Sequence, residues 1–151
     1  FAGIKRRLEL FHQAGDTIFL DDFAHHPTAI RETIKAVRTR WPDKRLTVCF
    51  EPRSNTTATN LFQHELGECF DGAAEVWIGP VFRPEKYTDD ERLNRNKLKS
   101  DLCARGIEAH TANPEDIVAH LASTPDQQEI VLLCSNGAFG GIYAKIREQI
   151  Q

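Results

Sequence analysis

Three short stretches of this 151-residue chain concentrate the residue types that do chemistry. Asp21-Asp22-Phe23-Ala24-His25-His26-Pro27 sets two carboxylates beside two imidazoles. Glu51-Pro52-Arg53-Ser54-Asn55-Thr56-Thr57 follows a carboxylate and a guanidinium with a run of short hydroxyl and amide side chains. Ser135-Asn136-Gly137-Ala138-Phe139-Gly140-Gly141 is small and glycine-rich. Adjacent carboxylates on an extended chain point to opposite sides, so at most one of Asp21 and Asp22 faces a given ligand. That one can accept a sugar hydroxyl, ligate a metal, or act as a favourable charge at the start of the next helix. Adjacent histidines rarely converge on one metal, and no third ligand accompanies His25 and His26, so no metal site is expected. Hydrogen bonds that hold the loop are the more common use of such a pair. Arg53 offers a planar fork to a carboxylate or phosphate. It equally suits a surface pair with Glu51. The Ser-Asn-Thr-Thr run can cap a following helix or donate to a bound anion. The last loop lacks the spacing G-x-G-x-x-G, and no G-x-x-x-x-G-K-[ST] occurs, so the phosphates of any nucleotide need groups from elsewhere.

The apolar patterning shows what must position these loops. Arg7 to His12 and Thr17 to Asp22 read as strands joined by a Gln13–Asp16 turn, an antiparallel hairpin. Pro27 opens a helix with Ile30, Ile34, Val37 and Trp41 on one face, and Pro42 ends it. Strands are predicted at 46–50, 75–78, 107–110 and 130–134, and helices at 59–70, 89–105, 114–121 and 139–150. This alternation predicts an α/β fold: a three-layer, Rossmann-like domain on a mostly parallel sheet of about six strands, with one antiparallel edge strand. Open parallel sheets bind ligands beyond the carboxyl ends of their strands, so all three loops are expected on one rim. Residues 81–90 form the longest loop and are expected to be mobile.

Composition bounds the rest. The length suits one domain, able to bury roughly 70% of its unfolded surface. Hydrophobic residues at 40% and charged residues at 27% exclude a disordered tail or a disulfide miniprotein. A net charge of -3 gives no reason to expect nucleic acid, and no apolar run is long enough for a membrane helix. Cys49, Cys69, Cys103 and Cys134 form no C-x-x-C pair and are expected to be buried free thiols in a reducing cytoplasm. The chain has no Met and opens Phe1-Ala2-Gly3, so residues 1–151 are expected to be a piece of a longer protein.

At the three loops the chain resembles the C-terminal domain of the Mur ligases, ATP-dependent enzymes that build peptidoglycan precursors. Gly3-Ile-Lys-Arg-Arg-Leu-Glu9 is similar to the arginine motif that opens this domain, and Asp22-Phe-Ala-His-His-Pro27 to the motif D-[YF]-[AG]-H-x-P. Folylpolyglutamate synthases share a version of the second motif. The doubled Asp and doubled His narrow the resemblance to muramate-linked members. Glu51-Pro-Arg-Ser-Asn-Thr56 and Ser135-Asn-Gly-Ala-Phe-Gly-Gly141 bring it nearest to the murein peptide ligase branch. The L-alanine-adding branch usually carries F-x-P-H-R at the second loop and Tyr in place of Phe23, and this chain departs from it there.

The resemblance implies a bacterial, cytoplasmic ligase that joins UDP-N-acetylmuramate to the recycled murein tripeptide L-alanyl-γ-D-glutamyl-meso-diaminopimelate. ATP converts the muramoyl carboxylate to an acyl phosphate, and an amine then attacks it. The P-loop and Mg2+ sites would lie on a central domain of the same chain, preceded by an N-terminal domain, and the C-terminal piece alone would be inactive. The biology implied is peptidoglycan biosynthesis and recycling, hence cell wall biogenesis, cell shape and division. Matched by position, Arg7, Asp22 and His25 fall to ATP. Arg53, Ser54, Asn55 and Thr56, with Ser135, Asn136, Gly137 and Phe139, fall to the amine substrate. No residue is assigned as general base. An L-alanine ligase domain, or an α/β module that binds a nucleotide or partner without catalysis, remain the other readings.

Overall fold

The computed structural model describes residues 7–123 and 129–151. The first strands, β1 (Glu9–Ala14) and β2 (Thr17–Asp22), form the antiparallel hairpin, with its turn tightened to Gly15-Asp16. Helix α1 (Pro27–Arg40) follows, then β3 (Arg45–Phe50), α2 (Gln63–Leu66), β4 (Glu75–Ile78), α3 (Arg95–Ala104), β5 (Glu108–Thr111), α4 (Pro114–Ala122), β6 (Glu129–Cys134) and α5 (Ile142–Gln149). The strand order is β1-β2-β6-β3-β4-β5, parallel throughout except for the β1–β2 pair. The expected fold class is therefore the observed one.

Strand alternation divides the core into two layers. Ile130, Leu132 and Cys134 of β6 face one side, with Ile30, Ile34 and Val37 of α1, Leu66 of α2, and Leu98 and Leu102 of α3. Val131 and Leu133 face the other side, with Ile117, Val118 and Leu121 of α4 and Ile142 and Ile146 of α5. Strands buried on both faces need apolar side chains in both directions, which explains the unbroken Ile-Val-Leu-Leu-Cys run. Among the described residues, no helix is long and apolar enough to cross a membrane.

Several expectations need correction. The helix expected over 59–70 is one turn of 3-10 helix, Asn60–Phe62, capped by the Thr59 hydroxyl and followed by the four-residue α2. The helix expected from 89 starts at Arg95, because Asn94 accepts the Lys97 N–H at 2.9 Å and fixes the first turn there. The helix expected from 139 starts at Ile142, because Phe139, Gly140 and Gly141 all take left-handed φ values of 47°, 60° and 78°. Trp41 is the C-cap of α1 and packs, partly buried, against the same core layer as Ile30, Ile34 and Val37. Cys49, Cys69 and Cys134 are buried, and burial pushes the Cys69 thiol up to about 12, but Cys103 is exposed. Residues 81–90 form the expected loop, which contains a 3-10 turn, Pro84–Lys86, and Arg92 donates to the Pro84 and Tyr87 carbonyls.

Candidate functional site

Register aligns the ends of the strands. Asp22 and Phe50 both pair with Cys134, Phe50 also pairs with Ile78, and Ile78 pairs with Thr111. The loops after β2, β3 and β6 therefore leave the sheet side by side at its carboxyl edge. Backbone bonds tie them together: Ser135 N–H donates to Asp22 O, and Glu51 N–H to Cys134 O.

Arg7, Asp22 and His25 line one cleft of about 530 Å³, with Phe23, His26 and Thr33 in the same wall. Asp22 is only 6% exposed. Its Oδ1 accepts the Ala24 N–H at 2.8 Å and the Thr33 hydroxyl at 3.3 Å, and its Oδ2 accepts the Leu8 N–H at 2.9 Å. A carboxylate has about four acceptor positions, so one on Oδ2 stays available. Asp21 points to the opposite face, where Tyr143 donates to it. Both histidines hold the loop: His25 bonds Phe23 O, and His26 caps α1 through the Thr28 N–H and packs edge-on against Phe62. Arg7 is exposed at the cleft mouth. Gly3 to Arg6 of the arginine motif lie outside the described residues.

Arg53 is 26% exposed, and its guanidinium lies 3.6 Å from the centroid of the Phe82 ring. Gly137 packs against it so closely that any Cβ there would overlap the Arg53 side chain. Ser54 Oγ bonds the hydroxyls of Thr56 and Thr57 and accepts the Thr57 N–H, so this run closes a turn of its own while Thr59 does the helix capping. Asn55 is exposed and its Oδ1 accepts from Lys86 and Tyr87. Asn136 Oδ1 is buried and has no donor among the described residues. Ser135 and Phe139 are fully inside: Phe139 fills the space over Gly79, where a Cβ would sit 2.7 Å from its ring. Their side chains thus shape the rim from below.

Sequence reasoning left one residue out of this site. Glu51, 5% exposed, accepts the Ser135 hydroxyl at 2.5 Å and lies 3.9 Å from the Arg53 guanidinium. It links the second loop to the third and sets where Arg53 can stand. Its place directly before Pro-Arg was the available signal, but a carboxylate there reads equally as a surface partner.

The trio with metal-ligand geometry is elsewhere. Glu75, Glu108 and His110 bring ligand atoms within 4.8 Å of one another at the amino edge of the sheet. These atoms already pair among themselves, with His110 Nε2 2.8 Å from Glu108 and 3.6 Å from Glu75.

Residues 6–137 match the family model described as Mur ligase, glutamate ligase domain. A UDP-N-acetylmuramate–L-alanine ligase of Desulfitobacterium hafniense is 32% identical over 91% of this chain. The Escherichia coli UDP-N-acetylmuramate–L-alanyl-gamma-D-glutamyl-meso-2,6-diaminoheptandioate ligase is 32% identical over 97% of it. The chain spans 30% of the length of each. A crystallised murein peptide ligase of Psychrobacter arcticus superposes on 99% of the chain and 31% of its own length, with a TM-score of 0.80 and 30% identity.

Proposed function

This chain belongs to the Mur ligase family, through its glutamate ligase domain, and from that membership we propose that it is the C-terminal domain of an ATP-dependent amide ligase. The reaction proposed joins UDP-N-acetylmuramate to L-alanyl-γ-D-glutamyl-meso-diaminopimelate. N-terminal and central domains of the same protein would supply the P-loop and Mg2+ sites. ATP, when bound, supplies the phosphoryl group that activates the muramoyl carboxylate as an acyl phosphate.

This chain's residues then hold and orient. The cleft fits a nucleotide: Arg7 puts a cation at its mouth, and the spare acceptor on Asp22 Oδ2 can take a ribose hydroxyl. His25 keeps the Phe23 carbonyl turned into the loop and so shapes the same wall. Arg53 presents its fork to a substrate carboxylate. Ser54 and Thr56 fix the turn that carries Arg53, and Gly137 leaves the guanidinium its space. Packing this rim against a central domain would exclude water from an intermediate prone to hydrolysis and bring the amine into line.

The observation that carries this reading is the position of Arg53, held against Phe82 and Gly137 beside a separate cleft lined by Arg7 and Asp22. The arrangement suits two ligands at once, one nucleotide and one carboxylate-bearing amine. A second reading, addition of free L-alanine, is favoured by the Desulfitobacterium relative. Phosphate release by the complete ligase decides between them. Release that needs UDP-N-acetylmuramate and tripeptide supports the first reading, while release with L-alanine in place of tripeptide overturns it.

A further inference from the structure

The segment between β4 and α3 contributed none of the residues assigned above, yet it is fastened to the Arg53 loop. Phe82 N–H donates to Pro52 O at 3.0 Å. Lys86 Nζ and the Tyr87 hydroxyl both donate to Asn55 Oδ1, at 3.2 and 3.3 Å. These contacts bring two guanidiniums to one aromatic ring. Arg53 lies 3.6 Å from the Phe82 centroid and Arg83 lies 5.2 Å from it. Arg83 is exposed, and no carboxylate pairs with it among the described residues. Its backbone is left-handed, with φ 50° and ψ 61°, a conformation that disfavours any side chain. Such strain persists where the surroundings over-determine it, and it clusters at ligand clamps.

Glu51, at 3.9 Å from Arg53, is the one carboxylate paired with either guanidinium among the described residues. A ligand with two carboxylates can give one to each fork. A ligand with one carboxylate leaves one fork empty. We propose that Arg83, with Arg53 beside the same Phe82 ring, forms a two-guanidinium clamp that selects an amine substrate carrying at least two carboxylates. The proposal rests on the peptide-ligase reading above and makes Arg83 a specificity residue for it.

The test uses the complete ligase, the free tripeptide, and the same tripeptide with both diaminopimelate carboxylates amidated, which leaves it a single carboxylate. Arg83→Gly removes the whole exposed side chain and suits the left-handed backbone, so its thermal midpoint should equal or exceed the parent's. The expected result is a KM for the free tripeptide raised about tenfold, with kcat and the KM for ATP unchanged. The parent's preference for the free over the amidated peptide should vanish in Arg83→Gly and return in part in Arg83→Lys. An unaltered KM and preference in Arg83→Gly, in a parent that does use tripeptide, overturns the clamp and leaves the proposed function standing. A parent that turns over L-alanine and ignores the tripeptide overturns both.

Discussion

The two edges of the sheet each bury a pair of carboxylates, and they satisfy them differently. At the amino edge, Glu75 and Glu129 are met by side chains. Arg45 Nη1 lies 3.1 Å from Glu129 and 3.8 Å from Glu75, and Thr47 donates to Glu129 at 2.8 Å. His110 and His120 approach Glu75 at 3.6 and 3.8 Å, and the Trp77 ring lies against both imidazoles. At the carboxyl edge, Asp22 and Glu51 are met by backbone N–H groups and hydroxyls from the site loops. The amino edge spends its cation on its own acids. The carboxyl edge holds its acids mainly with neutral donors, with Arg53 3.9 Å from Glu51 and Arg7 exposed at the cleft. The proposed function thus assigns the carboxyl edge to substrate, and the amino edge to fold stability and its pH dependence.

The sharpest way to break this contrast is to remove Arg53 from the complete ligase. Arg53→Ala should cost about 2–5 kcal/mol in kcat/KM for tripeptide, because a substrate carboxylate would be left unpaired, while ATP binding stays nearly intact. Arg53→Lys, a point charge without the fork, should recover only part of it. Near-parental efficiency would return Arg53 to a surface partner of Glu51, worth roughly 0–1 kcal/mol.

Asp22→Asn should come next. The amide turns a donor toward a backbone N–H, so both the loop and the nucleotide contact suffer. A loss of about 1.5–3 kcal/mol is expected, read as a KM for ATP raised roughly tenfold or more together with a lower thermal midpoint. If the midpoint falls while ATP kinetics hold, Asp22 is structural, like the carboxylates of the amino edge.

Gly137→Ala should displace Arg53 at a cost of about 1–3 kcal/mol, visible mainly in tripeptide KM. A crystal structure of this variant with Arg53 unmoved would separate the third loop from the second.

The smallest effect belongs to the amino edge. Burial is the main force pushing the Glu75 carboxyl above its ordinary 4.5, with a hydrogen bond to Glu108 adding to it, and that same bond helps draw Glu108 down to about 2. An acid whose folded pKa is raised contributes stability below 4.5 that is lost as pH rises through the folded value. Glu108 runs the other way, contributing above 4.5 and losing its share as pH falls toward 2. Glu75→Gln should thus gain stability on the parent as pH rises above 4.5, by roughly 1 kcal/mol or less, with ligase kinetics unchanged. A thermal-midpoint difference flat over that rise would mean that Glu75 ionises as it does in the unfolded chain.

The positions of β3, β4 and β6 were legible to within a residue or two, because a strand covered on both faces favours apolar side chains, and the edge strand β5, Glu-Ala-His-Thr, was legible from its place in the alternation after the Gly106 stop. Helices α1 and α4 were legible because Pro27 and Pro114 mark their starts and apolar residues recur at helical spacing. The stretch 59–70 misled because Phe62, Leu66 and Cys69 share a helical spacing, whereas the Ser54 turn and the Thr59 cap leave room for only short helical turns. Residues 139–141 misled because two glycines after an aromatic do not announce a left-handed run.

For the site, the sequence by itself determined the three loops and, through the parallel pattern, their common rim. It also determined the family, since the motifs are contiguous and local. Only the tertiary structure decided which groups meet. Glu51 finds Ser135 84 residues away, Asp22 finds Leu8 and Thr33 on either side of it, and Phe82 meets both Arg53 and Arg83. A carboxylate or guanidinium is compatible with solvent, with an ion pair or with a ligand, and composition does not distinguish them. Which one obtains depends on the groups that burial brings within hydrogen-bond reach, and those come from segments far apart in the chain.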